Sequence, residues 1–314
     1  MRRRRSMLLS AGAVVLALVL VGASSAEIKA YLDGRPKPVA LLVAGPTPAP
    51  APTALPEPTA LPQPTALPEP AATLGPRAQK AIADAERNGA DISFTLLDRA
   101  TGKVVSEGDP AAFPIASVAK LFIADDLLLE SSRKRAQLSP EDRRGLELML
   151  RSSDDFPADE FWIRDGRNEI ITRVAERYKL TKTTPPYNGD WWNTMSTTAD
   201  LVRYYGMLLD GTGGLPPEQA SIIVSNLAAS TPLGVDGYPQ RFGIPDGLFA
   251  EPVAVKQGWM CCWAPDKQVH LSTGVIGSDR RYVIAMASMQ PVDEAAARDT
   301  LTRALKTMFP GGRI

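Results

Sequence analysis

The stretch KLFIADDLLLE, Lys120 to Glu130, constrains this chain more than any other. Leu121, Phe122, Ile123, Leu127, Leu128 and Leu129 cover most of a helical circumference. A helix that is apolar all round is buried on every side, so other elements must pack around it. That requires a domain large enough to have a true interior. The residues before it read AFPIASVAK, which puts a serine one turn ahead of a lysine. Ser117 and Lys120 stand at i and i+3, on one face, with Cβ atoms about 5–6 Å apart. Lysine is almost never fully buried unless it is paired or put to use. Lys120 is therefore the first candidate for chemistry.

The packing partners cannot come from the N-terminal part of the chain. TALPEP, TALPQP and TALPEP run consecutively from Thr53 to Pro70. Proline at that density prevents a packed core and favours extended polyproline II, so 27–76 reads as a proline-rich disordered stalk. Some forty residues of it would reach about 120 Å. Upstream, Arg2 to Arg5 precede the apolar run Met7 to Ala23 and the small residues Ser24, Ser25 and Ala26. Residues 1–26 thus have the form of a signal peptide or an uncleaved signal anchor. No cysteine follows the run to accept a lipid. Residues 77–314 remain as the folded domain, exported and joined to a membrane only through the N-terminal segment.

Composition closes several routes. Lys and Arg number 35, as do Asp and Glu, so no charge excess points to nucleic acid. A single histidine, His270, excludes multi-histidine zinc sites. Within VHLSTGVIG it reads as a structural strand residue. The two cysteines, Cys261 and Cys262, are adjacent, and neighbouring Cα atoms about 3.8 Å apart fall below the usual disulfide range. They read as buried free thiols. Neither a metal nor a cofactor is expected, and the domain reads as a monomer.

Periodicity and caps give the element order. Gln79 to Asn88 is a helix stopped by Gly89, and Ile92, Phe94 and Leu96 alternate with Ser93 and Thr95 in a strand. A turn at Thr101-Gly102 leads into a second strand, Lys103 to Ser106. Ser139-Pro140-Glu141-Asp142 has an N-cap, a proline at the first helical position and acids in the first turn. Helices over Phe156–Ile163, Asn168–Lys179, Ser196–Leu209 and Pro216–Asn226 follow. Strands over Val253–Trp259, His270–Ile276 and Tyr282–Met289 precede a last helix, Asp293–Met308. Strands, a helical block, then strands and a helix predict an α+β domain with an all-helical insertion. The junction of the two parts is a natural place for a site.

Three short stretches lie along that frame in one order: Ser117-Val118-Ala119-Lys120, Ser153-Asp154-Asp155 and Lys256-Gln257-Gly258. S-x-x-K alone is weak, since Ser131-Ser132-Arg133-Lys134 also contains one in a charged stretch. Taken in order, the three resemble the penicillin-recognising serine hydrolases, the class A β-lactamases and penicillin-binding peptidases, with their S-x-x-K, S-D-N and K-T-G signatures. The resemblance spans Gln79 to the C-terminus. GYPQRFGIPDG and VKQGWMCC are similar to the mycobacterial lipoproteins of the LppW type, from which the chain departs by lacking the lipid-acceptor cysteine.

The resemblance implies a β-lactamase/transpeptidase-like fold, an antiparallel sheet flanked by N- and C-terminal helices with an all-helical subdomain inserted. It implies Ser117 as nucleophile, Lys120 as its base, Lys256 as a second cation that depresses the base, and Ser153 as proton relay. The oxyanion would lie between the backbone N–H groups of Ser117 and Trp259. Asp155, Gln257 and Gly258 would contact substrate. Two departures bear on activity: Asp155 replaces an asparagine amide by an anion, and Gln257 replaces a hydroxyl that helps bind a substrate carboxylate. A third concerns turnover, because Thr181 to Met195 has no glutamate to activate water and Asp190 is its only carboxylate. Trp191 and Trp192 beside it are expected to wall the cleft or pack the loop. The implied activity is an acyl-enzyme hydrolase of a cell-envelope amide or ester, a β-lactam or peptidoglycan peptide, with slow deacylation. Its rival is a catalytically silent binding protein of the same fold.

Overall fold

The fold begins inside what the sequence marks as stalk. The computed structural model describes residues 70–263 and 266–314, so the signal segment and the stalk up to residue 69 lie outside the described residues. Helix α1 runs Pro70–Glu86, seven residues earlier in the chain than the expected domain boundary at 77. Leu74, Ala78, Ala81, Ile82 and Ala85 form one buried stripe. Leu74 extends the apolar face by a turn, which is enough to pull the last residues of the proline-rich segment onto the domain.

After α1 come β1 (Asp91–Asp98), β2 (Lys103–Gly108) and a two-residue strand β3 (Phe113–Pro114). A single 3₁₀ turn, Ala116–Ala119, leads into α2 (Lys120–Arg133), α3 (Pro140–Arg151), α4 (Asp155–Arg164) and α5 (Asn168–Tyr178). Then follow β4 (Met195–Ser196), α6 (Thr198–Asp210), α7 (Pro217–Ala228) and the short α8 (Ile244–Gly247). The chain ends with β5 (Val253–Met260), β6 (Gln268–Ile276), β7 (Tyr282–Gln290) and α9 (Glu294–Met308). The main sheet has the order β2-β1-β7-β6-β5, and every neighbouring pair is antiparallel. β1 pairs with β7, so the two ends of the domain close the sheet and leave β5 as a free edge.

The architecture is α+β, as the element order predicts. One sheet face is covered by α1 and α9, where Leu74, Ile82 and Phe94 meet Leu301, Leu305 and Phe309. Against the other lies a helical block with α2 at its centre. Every α2 residue from Lys120 to Leu129 is buried, as its apolar circumference requires. Ser139 caps α3 by accepting from the Asp142 N–H at 3.0 Å. A two-residue ladder between β3 and β4 ties the segment ahead of Ser117 to the loop that follows α5. Among the described residues no helix is long and apolar enough to cross a membrane.

Candidate active site

The geometry of the site starts in the backbone. The Ile115 N–H donates to Thr194 O at 2.9 Å, which extends the β3–β4 tether. Ala116 then takes φ +46°, a left-handed conformation uncommon for a residue with a Cβ. The chain so turned enters the 3₁₀ turn containing Ser117, and the α-helix begins at Lys120 rather than at the serine. In a 3₁₀ turn residues i and i+3 eclipse. Lys120 Nζ accordingly stands 2.9 Å from Ser117 Oγ.

The second strand of the constellation is the α3–α4 loop. Ser153 sits there at φ +57°, and Asp154 caps α4 by accepting from the Phe156 N–H at 3.0 Å. Lys120 Nζ donates to Ser153 O at 2.6 Å, lies 3.3 Å from Ser153 Oγ and donates to Asp155 Oδ1 at 2.5 Å. From the edge strand, Lys256 Nζ reaches Ser153 Oγ at 2.7 Å and Gln257 O at 3.2 Å. Ser153 Oγ is thus shared by two lysines that are 0% and 1% exposed, and Ser117 is 8% exposed. The fold brings Ser117, Lys120, Ser153 and Lys256 into one cluster.

Burial is the dominant influence on both amines. It pushes the Lys120 pKa down, against the charge and hydrogen bond of Asp155 and the charges of Asp154 and Asp236, which push it up. Burial holds Lys256 well below the ordinary lysine value, and the neighbouring Lys120 charge pushes it down further. Lys120 Nζ also lies 4.8 Å from the ring centroid of Trp191. That indole is buried and anchored by Nε1 donating to Asp159 at 2.7 Å. Trp191 walls the lysine, as the loop reading expects.

β5 lies at the edge of the sheet, so alternate main-chain groups along it have no partner strand. Lys256 bonds the Gln257 carbonyl, which places that main-chain group on the open edge. Strand residues two apart share an edge, so the Trp259 N–H points the same way. Ser117, in the first turn, has an N–H without an intrahelical partner.

Two of the three expected substrate contacts, Gln257 and Gly258, take other roles. Gln257 is turned away: its Nε2 donates to Gln240 O at 2.9 Å and Phe242 O at 2.6 Å, and the residue is 1% exposed. Adjacent strand side chains face opposite ways, so a residue beside inward-pointing Lys256 packs on the other side. Gly258 is a packing residue, since a Cβ there would lie 2.8 Å from Ile115 O. Glycine lets β5 approach the Ser117 turn. Asp155 is engaged with Lys120, yet its side chain is 71% exposed.

The remaining residues sort as follows. His270 is fully buried, and its Nε2 shares a hydrogen bond with the Tyr238 hydroxyl at 2.6 Å. Burial drives its pKa down to about 4, so it is neutral and structural. Tyr238 in turn stacks on Trp259 with centroids 4.6 Å apart and planes 7° from parallel. Cys261 and Cys262 are free, but both are exposed rather than buried. β5 ends at Met260, and Cys262 at φ +66° already turns away from the sheet. Asp190 accepts from Asn188 Nδ2 at 2.7 Å within its own turn.

Sequence reasoning missed Asp236. It lies on a loop laid across the S-D-D segment, where the Val235 N–H donates to Ser152 O at 2.8 Å and Gln240 Nε2 to Arg151 O at 3.0 Å. The only local signal was a Gly-Val-Asp-Gly turn, Gly234 to Gly237.

Over its whole length the chain is 50% identical to the protein named "Putative lipoprotein LppW" in Mycobacterium tuberculosis (strain ATCC 25618 / H37Rv). The same holds for that of Mycobacterium bovis, and the alignment, 328 positions long, covers 100% of both chains. No family model matches. Among solved structures, a class A β-lactamase from Bacteroides cellulosilyticus superposes with TM-score 0.62 at 13% identity, covering 76% of this chain and 97% of that one. TLA-3 extended-spectrum β-lactamase gives 0.61 at 12%, covering 76% and 98%. PBP-A gives 0.61 at 16%, covering 74% and 94%. At such identities these likenesses speak for the fold, which is β-lactamase-like.

Proposed function

The chain belongs to the family of the proteins named LppW, and from that premise we propose that it is an exported serine hydrolase acting through an acyl-enzyme on an amide or ester of the cell envelope. Ser117 Oγ bonds to the substrate carbonyl carbon while the carbon's bond to the leaving nitrogen or oxygen breaks. The serine proton passes to Lys120 in its neutral form, and Ser153 delivers a proton to the leaving atom. Lys256 favours that neutral form through its proximity, and the N–H groups of Ser117 and Trp259 receive the oxyanion. A β-lactam or a peptidoglycan peptide fits this chemistry.

One observation carries the reading: a serine hydroxyl 2.9 Å from a buried lysine whose neighbour, Ser153, is shared with a second buried lysine. Two desolvated amines side by side are expensive to keep in a fold. The test is intact-mass measurement of the full chain after exposure to a panel of β-lactams and activated esters. We expect a covalent adduct on the wild type and none on Ser117→Ala.

The Asp155–Lys120 ion pair and the Gln257 side chain turned away from the cluster favour a second reading, a silent binding protein. In that case the same probes bind reversibly and equally to wild type and Ser117→Ala, with no mass gain. Export rests on the Arg2–Arg5 and Met7–Ala23 pattern and on the relatives' lipoprotein name. The two cysteines stand at 261 and 262, so the apolar segment is a signal peptide or a signal anchor rather than a lipid-attachment signal. Protease added to spheroplasts should release the domain; full protection would exclude an outward-facing placement.

A further inference from the structure

The only two thiols of the chain stand where the edge strand ends. Cys261 and Cys262 follow Met260, the last residue of β5, and both are exposed and free. In a strand successive side chains point to opposite faces, which would hold neighbouring thiols apart. Here the alternation has ended. Cys262 lies at φ +66°, and its N–H donates to Lys267 O at 2.9 Å as the chain turns back toward β6. The Cys261 side chain, first by a hydrogen bond and also by its charge, holds the Cys262 thiol above the ordinary cysteine pKa. The two sulfurs are therefore close neighbours in solvent.

That turn is joined to the site on both sides. Trp259, whose N–H is the proposed oxyanion donor, precedes Cys261 by two residues, and Trp263 follows Cys262 directly. Trp263 packs against the main core and meets the Tyr187 ring edge-on, with centroids 6.2 Å apart. Tyr187 belongs to the segment between α5 and β4 that also carries Trp191, the wall of Lys120. The peptide between the two cysteines thus links the edge strand to the loop beside the buried lysine.

We infer that Cys261 and Cys262 are a modification site, oxidised reversibly to a disulfide between neighbouring residues by exchange with a disulfide met outside the cytoplasm. The Cys261 thiolate attacks one sulfur of the incoming disulfide, a mixed disulfide forms, and the other sulfur leaves as a thiolate that takes up the proton Cys261 gave up. The Cys262 thiolate then attacks the Cys261 sulfur, the bond between the two residues forms, and the second half of the reagent leaves as a thiol. Two protein thiols are oxidised and one external disulfide is reduced. With no third cysteine in the chain, Cys262 is the internal thiol that resolves the adduct. As a neighbour it does so at the high effective concentration of an intramolecular step. Cα atoms about 3.8 Å apart lie below the usual disulfide range, so the bridge is strained and easily reduced. Strained, exposed disulfides are the labile and regulatory ones. Closing the bridge turns the peptide between the cysteines and shifts Trp263 against Tyr187. Resting on the hydrolase reading above, the reduced form has the Trp259 N–H and Trp191 in place, and oxidation slows acylation of Ser117.

The test exposes the full chain to glutathione disulfide and reads intact mass. The wild type should lose two hydrogens and retain no glutathione, and dithiothreitol should restore them. Cys261→Ser and Cys262→Ser should each stop at a glutathione adduct. A wild type that stays reduced, keeps glutathione on a sulfur or links to a second copy overturns the inference. Acylation of Ser117 by a neutral activated ester should be about tenfold slower in the oxidised wild type, consistent with a small displacement of positioned groups. The variant carrying both Cys261→Ser and Cys262→Ser should not respond to glutathione disulfide. An oxidised wild type that acylates as fast as the reduced one overturns the control of the site. Absence of a Ser117 adduct in either state overturns the hydrolase reading, while the mass change still decides the disulfide.

Discussion

Helix α2 carries two buried ionic clusters, built to opposite rules. Asp125 and Asp126 lie in its middle, both buried, and are met by groups from rigid helices. Asp125 accepts from Arg177 and Tyr178 of α5, with the Tyr204 hydroxyl of α6 at 3.4 Å. Asp126 takes a two-pronged contact from Arg173 at 2.9 and 2.6 Å. Each charge there has an opposite charge on a neighbouring helix. Lys120, at the start of the same helix, shares its surroundings with a second lysine, and its counter-charge comes from an exposed aspartate at the head of α4. The backbone that delivers its partners is left-handed at Ala116 and Ser153. The first cluster ties α2, α5 and α6 together; the second stores unfavourable electrostatics beside the Ser117 hydroxyl. Strain and poor compensation at one end of a helix that is well compensated in the middle mark a site kept for chemistry.

The largest expected effect comes from breaking each cluster in turn. Asp125→Ala leaves Arg177 without its partner in the interior and should cost about 3–5 kcal/mol. For a domain of this size that lowers Tm by about 10 °C. Lys120→Met removes a desolvated charge, fills a similar volume, and leaves Asp155 free to be hydrated. Its Tm should hold or rise, while acylation of Ser117 disappears. Thermal unfolding and intact mass on the two variants measure the contrast. A Lys120→Met protein as unstable as Asp125→Ala would make the two clusters equivalent and remove the argument.

Next in size is the effect of the exposed partner. Asp155 favours the charged form of Lys120, and in the proposed reaction the free base takes the serine proton. Asp155→Asn should therefore lower the Lys120 pKa further and shift the rising limb of acylation to lower pH. At a fixed pH below that limb the rate with a neutral activated ester should rise about tenfold, the equivalent of one pKa unit. A limb that stays put would show that Lys120 is not the titrating base.

Much of this contrast was legible in the sequence, and what escaped has physical causes. The i, i+3 spacing of Ser117 and Lys120 brought the two atoms together because side chains so spaced share a face, whether the turn is 3₁₀ or α. The order of the three motifs brought Lys256 to the cluster, and the Ser139 cap appeared where its hydroxyl could accept a first-turn N–H. Gln257 was misjudged because a motif names a residue but not its face. The alternation that buries Lys256 inward sends its neighbour the other way. Leu74 was hidden by the prolines before it, and the thiols by the assumption that apolar company in sequence means burial in space. Asp125 and Asp126 go unread in the sequence, although two acids inside an oily helix must have partners. Asp236 was not, because a loop's path across Arg151 and Ser152 is set by hydrogen bonds from residues with no sequence period.

The smallest expected effect separates acylation from turnover. Release of an acyl group from Ser117 needs a base aimed at water beside the ester. The segment between α5 and β4 offers only Asp190, and its carboxylate accepts from Asn188 in its own turn, while the Trp191 indole occupies the wall next to Lys120. A carboxylate spent on its own turn contributes to the loop, not to water activation. Asp190→Asn should therefore leave the lifetime of a Ser117 adduct within about twofold of the wild type, since a general base that was in use would be worth about 10²–10⁴. Adducts should persist long enough for intact-mass detection in both proteins. If the wild type instead turns over a β-lactam rapidly and Asp190→Asn traps the adduct, the loop must reorganise on binding. Asp190 would then be a deacylation base that the hydrogen bond to Asn188 holds in reserve.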